Sequence, residues 1–99
     1  MLVEWLPQAI EALEEIAGYL AERNPYAAER IHAAIEAAAE ALPQHPYLHR
    51  PGRVPGTREV VVHPNYLVVY RVTTDRIAIV DVLHARQEYP SPALGLVRP

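Results

Sequence analysis

The sequence contains no cysteine and no lysine. Without cysteine the chain cannot form a disulfide scaffold or a Cys-based zinc site, and this composition is compatible with a reducing cytoplasm. No stretch approaches the roughly 20 apolar residues that a membrane span needs. The first five residues, Met-Leu-Val-Glu-Trp, lack the basic start and apolar run of a signal peptide. We therefore expect a cytoplasmic protein that makes no contact with a membrane.

The length and apolar content predict one small folded domain. The chain has 99 residues, of which 51% are apolar, so a modest core is possible and intrinsic disorder is not expected. We expect this domain to span residues 1–90. Residues 91–99 are expected to form an irregular or mobile tail, because prolines and a glycine punctuate the C-terminal end of the chain.

Charge is distributed unevenly along the chain. Residues 1–49 hold eight glutamates and two arginines, a net charge of −6, whereas residues 50–99 hold four acids and seven arginines, a net charge of +3. The sum is −3. An acidic chain of this kind is a poor general binder of nucleic acid, but its basic half could bind an acidic partner or a single phosphate.

The N-terminal half is predicted to hold a short strand and two helices. Residues 2–5 could form a strand, and Pro7 then suits the first turn of a helix that ends near Arg23. Asn24 is a good N-cap and Pro25 a good first residue for a second helix that runs to about Leu42. The apolar residues at helical spacing are Ile10, Leu13, Ile16, Ala17 and Leu20 in the first helix and Ile31, Ile35, Ala38 and Leu42 in the second.

The C-terminal half is predicted to form an antiparallel meander. Prolines and glycines make residues 43–57 a loop. Three strands then follow over residues 58–63, 66–73 and 76–84, separated by short turns, and the middle strand is apolar on both faces and therefore central. The resulting fold is α+β, in the order β-α-α-β-β-β, with a helical hairpin packed on a small, twisted, mainly antiparallel sheet.

Several stretches within this order resemble the RelE/ParE superfamily of bacterial toxins from type II toxin–antitoxin systems. The stretches are Trp5 followed by an amphipathic helix, Asn24-Pro25-Tyr26-Ala27-Ala28, Pro51-Gly52-Arg53-Val54-Pro55-Gly56-Thr57-Arg58-Glu59, Tyr66-Leu67-Val68-Val69-Tyr70-Arg71-Val72 and Val82-Leu83-His84-Ala85-Arg86-Gln87. Each stretch alone is a weak match, but together the stretches span residues 5–90, and their order and spacing make the resemblance specific.

The resemblance implies a toxin that inhibits bacterial growth and is neutralised by a cognate antitoxin protein. RelE-like members resemble ribosome-dependent endonucleases that cut mRNA, whereas ParE-like members resemble poisons of DNA gyrase that cut no nucleic acid themselves. The fold alone does not separate these two branches. A third alternative is a degenerate member whose only partner is its antitoxin.

In the nuclease alternative, the resemblance implies four catalytic positions, namely Arg58, Arg86, His84 and Tyr89. Arg58 stands where such nucleases have a lysine, and Arg86 matches the arginine after the last strand. Tyr89 lies near the position of the terminal acid. His84, and with less weight His63, could substitute for a missing base, since arginine is a poor general base at neutral pH.

Two further positions that are basic in RelE-like nucleases are apolar in this sequence. Val60 occupies the second lysine position, and Leu67 stands where an arginine is expected. Neither side chain can donate to a phosphate. With the acidic net charge, this favours the ParE-like alternative, so the chain is expected to be a gyrase poison rather than an enzyme.

The expected partners follow from the same resemblance. The antitoxin is expected to present Asp and Glu to the basic half, and the partner-binding candidates are Arg53, Arg58, Arg71 and Arg86. No pair of histidines has metal-ligand spacing, so we expect no metal, no cofactor and no small-molecule substrate.

Overall fold

Residues 1–90 are described by a computed structural model. The elements in chain order are β1 (Leu2–Trp5), α1 (Pro7–Ala21), α2 (Pro25–Ala41), a 3₁₀ turn (Leu42–Gln44), β2 (Arg50–Pro51), β3 (Arg58–His63), β4 (Tyr66–Val72) and β5 (Arg76–His84). The predicted order of helices and long strands is confirmed, with ends that differ by one or two residues. The tail predicted over 91–99 lies outside the described residues.

The five strands form one mixed sheet in the order β1-β5-β4-β3-β2. β1 runs parallel to β5, with Leu2 opposite Arg76, and the other neighbours are antiparallel. β4 is the central strand, as its two apolar faces predicted. Side chains of β4 therefore alternate between the face that the helices cover and the opposite face.

The two helices pack against one face of the sheet and enclose the main core. Asn24 caps α2 as predicted, because its side chain accepts a hydrogen bond from the Ala27 amide at 3.1 Å. The main core contains Ala9, Leu13, Ile35, Ala39, Leu42, Val60, Tyr66, Val68, Tyr70, Ile77, Ile79 and Val82. Ile10, predicted on the buried stripe, is instead 44% exposed, because the stripe runs through Ala9 and Leu13 and leaves Ile10 at its margin.

The segment predicted as a plain loop over residues 43–57 contains more structure than expected. It begins with the 3₁₀ turn and includes β2, in which Arg50 lies opposite Glu59 of β3. The Tyr70 hydroxyl donates to the Pro46 carbonyl oxygen at 2.8 Å and so ties this segment to the core. Within residues 1–90, no helix is long and apolar enough to cross a membrane.

Candidate functional site

We call the face of the sheet that points away from the helices the outer face. It carries a small apolar cluster. Its centre is formed by Leu67 and Val69 of β4 and Leu83 of β5, and all three are at most 3% exposed. Tyr89, which follows the last strand, packs against this cluster together with Val80. Leu67 is thus buried among apolar side chains, at a position where the resemblance leads one to expect an arginine.

Two buried carboxylates flank the centre of the outer face. Glu59 of β3 and Asp81 of β5 lie on either side of Val69 in one row across the sheet. They are 2% and 7% exposed. Strand alternation places them on the same face as the cluster. Sequence reasoning missed both acids, because only the register of β3 and β5 against β4 brings them into one row.

The two carboxylates are satisfied in different ways. Glu59 accepts from the Arg50 guanidinium at 3.3 Å and from the Arg53 amide at 3.0 Å, and the Arg53 Nε lies 3.6 Å away. Asp81 instead accepts from the Gln8 side-chain amide at 2.9 Å and from the backbone amide of the residue that follows it, at 2.8 Å. Among residues 1–90 no cation pairs with Asp81.

The charges around the outer face affect the pKa of Tyr89. Burial raises the pKa of the Tyr89 phenol, and the negative charges of Asp81 and Glu59 raise it further. Arg71 and Arg53 act in the opposite direction. Three of the sequence candidates, Tyr89, Arg53 and Arg71, are therefore brought together on the outer face, where the phenol keeps its proton at neutral pH.

Arg58 lies apart from these three residues. It is paired across the sheet with Tyr70, whose side chain belongs to the helix-facing core. Its guanidinium donates to the carbonyl oxygens of His49 at 2.7 Å and Tyr47 at 3.3 Å, and it lies 5.1 Å from the Tyr47 ring centroid. These hydrogen bonds link the start of β3 to residues 47–49, the segment before β2.

His84 and Arg86 lie at a third place, the end of the sheet near the β3–β4 turn. His63, Tyr66 and His84 form one row there, and the Tyr66 ring lies 5.9 Å and 5.3 Å from the two imidazole centroids. Arg86 is exposed, and its guanidinium makes no hydrogen bond or ion pair with any other residue of the described part. The fold therefore divides the site candidates among three places.

A metal centre is not assembled by this arrangement. The described part of the chain holds no group of three or more His, Cys, Asp or Glu side chains that could bind a metal ion.

Comparison with known proteins gives one consistent family. Residues 3–89 match the family model described as the ParE toxin of the type II toxin–antitoxin system parDE. The chain is 38% identical to Y4kP of Sinorhizobium fredii over 89 residues, which are 89% of this chain and 92% of that protein. It is 32% identical to toxin RelE2 of Caulobacter vibrioides over 83 residues, which are 84% of this chain and 93% of that protein.

Solved structures share the same fold. The chromosomal ParDE toxin–antitoxin system of P. aeruginosa matches with a TM-score of 0.77 at 23% identity, over 85% of this chain and 95% of that one. The RelBE2 toxin–antitoxin complex of Mycobacterium tuberculosis matches with a TM-score of 0.62 at 24% identity, over 84% of this chain and 95% of that one.

The fold, with two helices on a five-stranded mixed sheet, is that of the RelE/ParE toxins, and the chain is a type II toxin of this superfamily. Within the superfamily, it belongs to the ParE toxin family.

Proposed function

We propose that this toxin arrests growth by poisoning DNA gyrase and that a cognate antitoxin holds it inactive. The match to the ParE toxin family supports this branch. The mRNA endonuclease is the second candidate, supported by the 32% identity to a toxin named RelE2.

The chemistry of the outer face is the observation that carries the proposal. RNA cleavage by 2′-hydroxyl attack passes through a phosphorane whose added negative charge needs preorganised cations. The centre of this face contains Leu67, which is apolar, and is flanked by Asp81, which has no cation partner among residues 1–90. Unit charges 4 Å apart interact by roughly 4 kcal/mol at an effective dielectric constant of 20, so the carboxylate opposes a phosphate bound there.

The basic candidates do not offset this. The guanidinium of Arg58 is engaged with two backbone carbonyls, and Arg53 is paired with Glu59. The raised pKa keeps the Tyr89 phenol protonated but makes it a weaker acid, and therefore a poor proton donor for the leaving oxygen. Arg71 is exposed, and its guanidinium makes no hydrogen bond or ion pair with another residue of the described part. One arginine near a carboxylate is a weak basis for nuclease chemistry, whereas exposed arginines such as Arg53 and Arg71 are typical of protein interfaces.

The experiment compares the two targets with one preparation of toxin. Gyrase supercoiling and the cleavage of mRNA on translating ribosomes are assayed side by side, with and without toxin. We expect gyrase to be inhibited while the mRNA stays intact. Cuts in the mRNA at the ribosomal A site would refute the gyrase proposal, and the absence of both effects would identify a member that binds only its antitoxin.

Arg86→Ala provides the matched variant for this assay. Arginine is enriched among interface hot spots, and the exposed Arg86 has no other partner in the described residues. We expect the variant to melt at a nearly unchanged temperature and to keep antitoxin binding, but to lose toxicity. If its toxicity falls only in proportion to a loss of folded protein, then the role of Arg86 is structural.

A further inference from the structure

The end of the sheet near Arg86 is closed by hydrogen bonds to two histidine rings. The Nδ1 atom of His84 accepts a hydrogen bond from the Arg86 amide at 3.1 Å, and the Nδ1 atom of His63 accepts one from the Asn65 amide at 3.1 Å. The Asn65 carbonyl oxygen in turn accepts from the Ala85 amide at 2.7 Å. The two turns, after β3 and after β5, are therefore linked to each other.

An imidazole nitrogen accepts a hydrogen bond only when it carries a lone pair. The contact with the Arg86 amide therefore requires a neutral His84 with its proton on Nε2. Protonation of Nδ1 would turn the acceptor into a donor that faces the Arg86 N–H, and the bond would be lost. The backbone from which the Arg86 side chain projects is thus held by the lone pair of a ring nitrogen.

The surroundings of His84 keep its ring in place. The Tyr66 ring meets it edge to face, with an interplanar angle of 86° and centroids 5.3 Å apart. Glu15 and Tyr19 of α1 line the same cavity as His84 and Tyr66. The backbone of His84 is also bonded to Gln87, whose side-chain oxygen accepts from the His84 amide at 3.2 Å. The ring therefore has a fixed direction in which to offer Nδ1.

We propose that His84 is a positioning residue for Arg86: its neutral Nδ1 fixes the Arg86 amide and so the direction in which the guanidinium meets the target. This inference rests on the proposed role of Arg86 in toxicity. In this proposal His84 does not act on a substrate or a target itself. It acts through the residue that it holds.

Asparagine offers a conservative replacement for His84. Its side-chain Oδ1 is attached to Cγ, as Nδ1 is in histidine, and asparagine commonly accepts from the amide two residues further on. His84→Asn should therefore keep the bond to the Arg86 amide without a titratable ring. His84→Phe keeps a ring against Tyr66 but has no acceptor. The two variants separate the hydrogen bond from the packing.

The first measurement is amide hydrogen exchange of the full-length toxin. We expect the Arg86 amide to be protected in the parent and in His84→Asn, and to exchange faster in His84→Phe by up to about tenfold, the factor that corresponds to the upper end of what one hydrogen bond contributes. Equal protection in all three chains would overturn the proposal. This measurement does not depend on the identity of the target.

The second measurement is growth arrest on induced expression, with the melting temperature and antitoxin binding of each variant as folding controls. We expect His84→Asn to be as toxic as the parent and His84→Phe to be about tenfold less potent. If His84→Phe melts early, His84→Gln replaces it, because its acceptor lies one bond further from the backbone. Unchanged toxicity with a fast-exchanging Arg86 amide, or equal losses in His84→Asn and His84→Phe, would overturn the proposal.

The failure of the gyrase proposal is distinguishable from the failure of this one. A toxin that arrests growth without inhibiting gyrase refutes the target, yet exchange and growth arrest still test the role of His84. A parent chain that does not arrest growth removes the function that Arg86 is proposed to serve and overturns both.

Discussion

Removal of a single hydroxyl, in Tyr70→Phe, tests how the segment before β2 is attached to the core. Tyr70 is fully buried, and its hydroxyl donates to the Pro46 carbonyl oxygen at 2.8 Å. A net hydrogen bond is worth about 0.5–1.5 kcal/mol. Pro46 is only half-buried, so water can replace the lost donor, and we expect a loss of about 1 kcal/mol. For a domain of this size that loss lowers Tm by roughly 4–8 °C.

The control is Tyr66→Phe on the same strand. Tyr66 is also buried, at 7% exposure, but its hydroxyl makes no hydrogen bond with another residue of the 1–90 region. We expect a change below about 0.5 kcal/mol. Urea unfolding of the parent and both variants measures the difference. Equal midpoints for Tyr70→Phe and the parent would refute the idea that this bond holds the segment.

Tyr70→Phe should also change how the stability of the protein depends on pH in alkaline solution. Burial raises the folded-state pKa of Tyr70, with the nearby Arg58 guanidinium opposing it, whereas the unfolded chain titrates near pH 10. The unfolded state therefore releases its proton first. The stability that Tyr70 contributes is fully present below about pH 10 and is lost as the pH rises through the folded-state pKa. We expect the parent to lose stability more steeply than Tyr70→Phe above pH 10. Both chains carry Tyr89→Phe in this comparison, because the Tyr89 phenol also has a raised pKa.

Three further outcomes are expected. Gly52→Ala should cost about 1–3 kcal/mol in urea unfolding, because an added Cβ would collide with the Thr57 hydroxyl and lie 3.1 Å from the Thr57 carbonyl carbon. Asn24→Ala should cost about 1 kcal/mol through the lost helix cap and should leave antitoxin binding intact, as calorimetry and a binding assay would show. Arg53→Ala with Arg71→Ala should slow antitoxin association mainly at low salt. Association that is insensitive to salt in the parent would argue against an acidic antitoxin segment on the outer face.

Much of the fold could be predicted because local signals agreed with the tertiary structure. Asn24-Pro25 marks a helix start in both, and the shift from helical to alternating apolar spacing places the three long strands within one residue of their ends. The main misses were Ile10 and β2. A two-residue strand such as β2 has no periodicity of its own, and it exists because β3 offers it an edge.

The candidate site was less predictable than the fold. The sequence alone does not distinguish the four candidate arginines of the basic half, which are Arg53, Arg58, Arg71 and Arg86. The tertiary structure places Arg53 and Arg71 close enough to Tyr89 to lower its pKa, turns Arg58 toward backbone carbonyls, and leaves Arg86 exposed at the sheet end. That these arginines bind a partner remains a prediction.

The sequence by itself determined the element order, the central place of β4 and the resemblance to a toxin superfamily, because these depend on spacing along the chain. The tertiary structure alone decided that Glu59 and Asp81 flank one apolar cluster and that His84 holds the amide of Arg86. Cross-strand register and the direction of a ring nitrogen arise from contacts between distant residues. Neither has a counterpart in the periodicity of a single strand.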